Sequence, residues 1–148
     1  MSDDPRRYPE RPIIGVGAVV FDNDRVLLVK RGREPLKGEW SLPGGAVEVG
    51  ESLEAAVARE IFEETDLRVE VGPVIEVLDR IQHAPDGRVE YHFVIVDYLC
   101  RPRDGLVKSG SDASDARWVP LGELPSYHLT TTAQAVIEQG RLLALRAR

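Results

Sequence analysis

Three glutamates, Glu60, Glu63 and Glu64, stand in the stretch REIFEETDL (residues 59–67) at spacings i, i+3 and i+4, which a helix gathers into one patch. At about 100° per residue, Leu53, Ala56, Val57 and Ile61 share an arc roughly 140° wide, an adequate core-facing stripe. The three glutamates fall in or beside that arc at the helix's C-terminal end, so a merely solvated charged face would have them on the wrong side. Like charges at this spacing destabilise a helix by a few tenths of a kcal/mol per pair even when exposed. Partial burial and the helix dipole raise the cost. A hard divalent cation offsets it, and Mg²⁺ in particular binds through a few carboxylates while keeping waters and substrate phosphates in its shell.

Acidic clusters are also common on ordinary surface helices, so the flanking residues carry weight. Pro43-Gly44-Gly45 brings an open, side-chain-free backbone to the approach to this helix, where carbonyls can join a cation or amides can face phosphate. Glu51 near the helix start and Arg59 two turns on can brace one another, which leaves the later acids to the metal.

The elements that must position these groups follow from pattern. Ser52 is the expected N-cap and Glu54 the first-turn acid of a helix over Leu53–Thr65. Residues 13–21 and 25–31 are β-rich runs joined by Asp22-Asn23-Asp24, a hairpin. Residues 67–82 and 88–100 flank Ala84-Pro85-Asp86-Gly87 and predict two long antiparallel strands. Pro43-Gly44-Gly45 argues against helix and central strand alike. A polar loop over 101–116 precedes a strand at 117–121. A closing helix from Thr131 presents Ala133, Val136, Ile137 and Leu142 on one face despite Gly140. This order of elements is that of an α/β or α+β protein with a mixed sheet and helices on its faces. Residues 1–12 read as a flexible N-terminal arm and 13–148 as a single domain.

Read as a unit, GAVEVGESLEAAVAREIFEETDL (residues 45–67) resembles the signature of the Nudix hydrolase family: glycine, five residues, glutamate, seven residues, then Arg-Glu-aliphatic-x-Glu-Glu-x-Gly-aliphatic. Gly45, Glu51, Arg59, Glu60, Ile61, Glu63, Glu64 and Leu67 stand at the matching positions. Asp66 replaces the pattern's last glycine, which serves as the helix C′ residue with φ > 0. Aspartate is among the few other residues that tolerate that region. Segments outside the signature, such as RVLLVKRGREPLKGEWSLPGG, are similar to the bacterial group described as ADP-ribose pyrophosphatase-like or MutT-like.

The resemblance implies a Nudix-type α/β/α sandwich and hydrolysis of a phosphoanhydride in a nucleoside diphosphate linked to another group, such as ADP-ribose or a nucleotide sugar. It implies Mg²⁺, or Mn²⁺, held by Glu60, Glu63 and Glu64, with Gly44 and Gly45 contributing backbone. Glu60 is also a candidate base, and Arg59 orients Glu51 or Glu60. Family enzymes often add an acid from a late loop, for which Asp112 and Asp115 are the candidates, with Glu90 a further one. Lys30, Arg31 and Arg33 can pair substrate phosphate, or serve only as solubilising charge. Tyr91, like Phe21, Phe93 and Tyr98, can stack on a nucleobase, though alternating strand spacing equally describes core residues.

Composition narrows the rest. The chain has 148 residues, 43% of them hydrophobic and 30% charged, with a formal net charge of −6, which disfavours a general nucleic-acid binder. Cys100 is the single cysteine and excludes an intrachain disulfide. No apolar run approaches the roughly 20 residues of a membrane span. The expectation is a soluble, cytoplasmic enzyme with a small nucleotide substrate and no nucleic-acid or membrane partner. A homodimer is the assembly the resemblance allows. Two other readings stay open: a nucleoside triphosphate pyrophosphohydrolase, and a nucleotide-sensing module that keeps the fold without catalysis.

Overall fold

The computed structural model describes residues 4–108 and 113–147. Strands β1 (Ile13–Asp22) and β2 (Arg25–Arg31) form the expected hairpin, with Asn23 at φ 56° taking the left-handed position that asparagine tolerates. Two short strands follow, β3 (Trp40–Ser41) and β4 (Gly44–Ala46), then helix α1 (Leu53–Thr65). The long pair β5 (Arg68–His83) and β6 (Val89–Asp104) comes next, then β7 (Ala113–Pro120), a 3-10 segment (Leu121–Tyr127) and helix α2 (Thr131–Arg146).

The sheet is mixed. Its strands run in the order β3-β2-β1-β6-β5, with β4 added to β1 and β7 to β2. Among the described residues only the β1–β6 pairing is parallel, and the other pairs are antiparallel. Strand alternation sorts the core to two faces. Val16, Ala18, Val20 and Leu27 pack with Ala56, Val57 and Ile61 of α1, whereas Val19, Val26 and Leu28 pack with Val136 and Ile137 of α2. Helices on opposite faces of one mixed sheet make the α/β/α sandwich.

Two local expectations change and one is made specific. Gly44–Ala46 is neither helix nor central strand but a short strand paired on one side to β1 (Gly15↔Ala46, Val16↔Gly45, Gly17↔Gly44), which asks nothing of its side chains. The loop over 101–116 shrinks from both ends: β6 runs on to Asp104 opposite Arg68, and β7 starts at Ala113 opposite Arg31. There the strand partners' backbone hydrogen bonds outweigh polar composition. On α2, Val136 and Ile137 are buried but Leu142 is 43% exposed. The buried face continues instead through Gly140, where a Cβ would stand 3.0 Å from Ile75 Cδ1 and 3.3 Å from Val19 Cγ1. The glycine that weakens the helix in isolation lets it pack close to the sheet.

From Asp4 onward the N-terminal arm makes specific contacts. Tyr8 N–H donates to the Glu90 carbonyl (2.7 Å), Arg7 pairs the Glu90 carboxylate (2.7 Å), and Arg6 donates to Asp4 and to the Glu34 carbonyl. Among the described residues, no helix is long and apolar enough to cross a membrane.

Candidate functional site

Helix α1 is held at both ends. Ser52, extended at φ −71° and ψ 158°, accepts a hydrogen bond from Ala55 N–H (3.1 Å) through its Oγ, a cap worth roughly 1 kcal/mol. At the other end Asp66 sits in the left-handed region at φ 65°, its N–H bonded to the Phe62 carbonyl (2.9 Å), in the conformation expected of the residue replacing glycine. Between these ends the apolar stripe buries Ala56, Val57 and Ile61. Glu60 (7% exposed) and Glu64 (6%) go down with it, while the Glu63 side chain stays at the rim.

Buried carboxylates need compensation. Arg59 supplies much of it. Its Nε and Nη2 donate to the two oxygens of Glu51 (2.7 and 2.9 Å), and its Nη1 donates to Glu60 (2.9 Å) and Glu63 (3.2 Å), with Glu48 at 3.7 Å. Nη2 also donates to the Ala46 carbonyl (3.0 Å), which ties the helix to β4. The Arg59 hydrogen bonds, with that from Glu48 N–H, pull the Glu51 carboxyl down to about 2. Conversely, the Glu51 hydrogen bond, seconded by Glu60 and Glu63, raises the Arg59 guanidinium far above its usual range.

Glu64 is served from the opposite side, where Gly44 N–H donates to its Oε1 (2.7 Å). Strand β4 can come this close only because it lacks side chains. A Cβ on Gly44 would collide with the Val16 carbonyl, and one on Gly45 would collide with the Glu60 carboxylate. The glycines thus form a cradle whose space the carboxylates occupy.

These groups close one end of a cavity of about 380 Å³. Gly44, Gly45, Glu48, Arg59, Glu60, Glu63 and Glu64 line that end. Arg6, Arg31, Arg33 and Arg80 bring positive charge to it, and Trp40 and Phe93 present aromatic rings. Arg31 is fixed by a hydrogen bond from Nε to the Pro35 carbonyl (2.6 Å), and burial, with the charge of Arg80, lowers its guanidinium pKa. Trp40 is set edge-on against Tyr127, ring centroids 5.1 Å apart. Gly15, Gly17, Ile95, Asp97 and Leu78 also line the cavity.

Several residues singled out in the sequence meet here, and others do not. Glu60, Glu63, Glu64, Arg59, Gly44, Gly45, Arg31 and Arg33 all line the cavity, and Glu51 stands behind Arg59. Lys30 does not line it; it pairs in register with Trp40 and Asp115. Asp115 lies on β7 and is engaged by Arg117 (2.9 Å), outside the cavity lining. Tyr91 is buried in a stack with Phe93 (6.2 Å), and of the two only Phe93 reaches the cavity. Glu90 is taken by Arg7, and Tyr98 belongs to the core on the α1 side. Asp112 lies outside the described residues.

Sequence reasoning missed Asp97 and Arg80. Asp97 is only 5% exposed, and burial pushes its carboxyl up to about 6, with Arg80 pulling it down and Glu76 adding to the rise. Burial likewise lowers Arg80, opposed by Asp97 and Glu39. A signal was there: Asp97 is the one acid inside FVIVDYLC, a run otherwise apolar.

The donor set fits a hard divalent cation, since it consists of carboxylates beside glycine backbone, all oxygen on the acceptor side. Among the described residues, however, no three acidic, histidine or cysteine side chains converge as a ready metal cage. Arg59 holds Glu60 and Glu63, and Gly44 holds Glu64. A cation therefore competes with the guanidinium for the same oxygens.

Comparison with known proteins agrees with this geometry. A model of the NUDIX domain matches residues 11–140. An ADP-ribose pyrophosphatase of Methanocaldococcus jannaschii is 36% identical over 114 residues, 77% of this chain and 65% of that protein, so the chain spans just under two thirds of this relative's length. The crystal structure of a MutT NUDIX hydrolase from Burkholderia pseudomallei superposes with a TM-score of 0.76 at 36% identity, covering 88% of this chain and 98% of that one. The NUDIX domain of Shewanella oneidensis NrtR, solved in complex with ADP ribose, gives a TM-score of 0.72 at 27% identity over 92% of this chain and 90% of that one.

Proposed function

The chain belongs to the Nudix family, and from that premise we propose that it hydrolyses the phosphoanhydride of a nucleoside diphosphate linked to a second group, ADP-ribose being the leading substrate. The observation that carries the reading is the burial of Glu60 and Glu64 beside the side-chain-free Gly44 and Gly45, at the mouth of a cavity that also holds Arg31 and Arg33.

Nudix hydrolases generally need divalent metal ions. Here Glu60, Glu63 and Glu64, with backbone of Gly44 or Gly45, are the residues to hold Mg²⁺ or Mn²⁺. When bound, such an ion would supply positive charge against the diphosphate and lower the pKa of a nearby water. The protein's own groups do the rest. Arg31 and Arg33 pair with the diphosphate, and Trp40 and Phe93 offer faces to a base. Arg59 keeps Glu51 and Glu60 in place and reaches Glu63, the more exposed of its partners on α1, over a longer 3.2 Å contact. Glu60, or Glu63 by its exposure, is the group positioned to accept a proton from water.

The working unit is residues 13–148 as one domain, cytoplasmic, acting on a small nucleotide and not on nucleic acid or membrane, with a homodimer as the assembly to test for. Incubation with ADP-ribose, nucleotide sugars and nucleoside triphosphates in Mg²⁺, with products identified, tests the reading. AMP and ribose 5-phosphate from ADP-ribose are expected. Turnover of triphosphates with inactivity on every diphosphate-linked compound would overturn it.

A further inference from the structure

Asp97 sits on β6 directly across from Gly17 of β1. Its carboxylate overhangs that glycine, since a Cβ there would collide with Asp97 Oδ1. The residue is 5% exposed and lines the cavity, yet no described residue donates a hydrogen bond to it. Arg80 lies on the same face of the sheet, because β5 pairs Glu76 with Asp97 and Arg80 with Phe93, four residues along on each strand. Arg80 also lines the cavity. The two attract each other through space, but no ion pair joins them among the described residues.

Its oxygens open to the cavity rather than being sealed, since no fully buried side-chain nitrogen or oxygen among the described residues lacks a partner. A carboxylate largely withdrawn from water and without a donor from the described residues suits a ligand that brings one. The partner is constrained from both sides. It must donate to Asp97, which excludes a phosphate, and it must accept from Arg80, which excludes an ammonium or a simple amino group. A sugar carries several hydroxyls, each able to donate to a carboxylate or accept from a guanidinium, and a vicinal pair can use both carboxylate oxygens. Leu78 and Ile95, which line the same cavity, suit the apolar face of a sugar.

We propose that Asp97 and Arg80 form a ribose-binding site that takes the vicinal hydroxyls of the sugar next to the diphosphate. The assignment rests on the hydrolase reading for the orientation of substrate in the cavity, but not for the binding itself. In a molecule such as ADP-ribose the diol comes from the adenosine ribose or from the terminal ribose.

The test is equilibrium titration of AMP, 2′-deoxy-AMP, ribose 5-phosphate and inorganic pyrophosphate into wild type, Asp97→Ala and Asp97→Asn in the presence of Mg²⁺, with thermal melts confirming that the variants fold. Loss of hydrogen bonds to a charged group predicts about 10- to 100-fold weaker binding of AMP or ribose 5-phosphate to Asp97→Ala. The asparagine variant, which keeps one acceptor oxygen and the shape of the side chain, should lose less. Pyrophosphate affinity should stay within about twofold. If the adenosine ribose is the ligand, wild type prefers AMP to 2′-deoxy-AMP and Asp97→Ala does not; if the terminal ribose is, only ribose 5-phosphate weakens. Unchanged affinity for both ribose phosphates, no binding of either to wild type, or an equal loss for pyrophosphate would each overturn the proposal. Failure of wild type to hydrolyse ADP-ribose and every other diphosphate-linked compound while the diol effect stands would instead sink the hydrolase reading alone.

Discussion

Two acidic sites of the cavity, neighbours across Gly17, solve the same electrostatic problem in opposite ways. At the α1 site, Glu51, Glu60 and Glu63 share one guanidinium, and Glu64 takes a backbone N–H. On β6 and β5, Asp97 and Arg80 line the same cavity with no hydrogen bond between them. Closure of the first network makes it stable and leaves its acids ready to exchange one cation, Arg59, for another. The open pair leaves hydrogen-bonding capacity facing the cavity, which is the character of a recognition site.

That contrast can be broken experimentally. Removal of divalent ions with a chelator should have the largest effect, abolishing turnover by three orders of magnitude or more on the order expected for loss of metal-assisted hydrolysis, with restoration by Mg²⁺ or Mn²⁺. A chelated protein that retains its rate would show the acidic end to be structural only.

Arg59→Ala comes next. It leaves several carboxylates facing one another around a vacated guanidinium, and a loss of about 1–3 kcal/mol is expected in denaturant unfolding at neutral pH. The pH profile gives the sign. Because the Glu51 carboxyl is held near 2 in the fold and titrates near 4.5 without its partners, the stabilisation exists above about 4.5 and fades as pH falls toward 2. The alanine variant should have a flatter acid limb.

Asp97 predicts the reverse slope. A folded value of about 6 against an ordinary 3.8 means that the native state holds a proton the unfolded chain releases. Stability is therefore full below about pH 4 and falls as pH rises to about 6, by roughly 3 kcal/mol at ~1.4 kcal/mol per pH unit. Asp97→Asn should match wild type at pH 4 and exceed it at pH 8. Equal stability of the two at pH 8 would mean that Asp97 is better solvated than its burial indicates.

The smallest effect belongs to the helix terminus. Asp66→Gly relieves a left-handed non-glycine residue, for about 0.5 kcal/mol and a rise in Tm of ~1–2 °C, offset slightly by the exposed contact with Lys108 (3.3 Å). A lower Tm would mean that the aspartate stabilises the turn more than glycine does.

The same contrast explains what could be read from the sequence. The acidic end is local: Gly44 to Asp66 lie within one strand, one turn and one helix, so spacing alone aligned Glu60 and Glu64 with the buried stripe and placed Asp66 at its end. The strand pairs, the hairpins and both helices were legible for the same reason. The Asp97 site is not local. Asp97 meets Gly17 through a parallel pairing 80 residues apart, and Arg80 joins them through the register of β5, which bulges near Val71 and Glu76. No short-range pattern encodes that register, so an acid inside an apolar run was the one trace it left. Tyr91 and Phe93 show the limit from the other side. They share the inward parity of β6, and only three-dimensional packing decides that Phe93 lines the cavity while Tyr91 stacks beneath it.

The central claim is that the α1 glutamates drive hydrolysis, and Glu63→Gln tests it most directly because Glu63 is the least buried of the three and its replacement disturbs the fold least. The measurement is the rate of AMP release from ADP-ribose at saturating Mg²⁺ for wild type and variant. The account predicts a fall of about 10²–10³-fold with an unchanged melting temperature. An equal rate in the two proteins would contradict it.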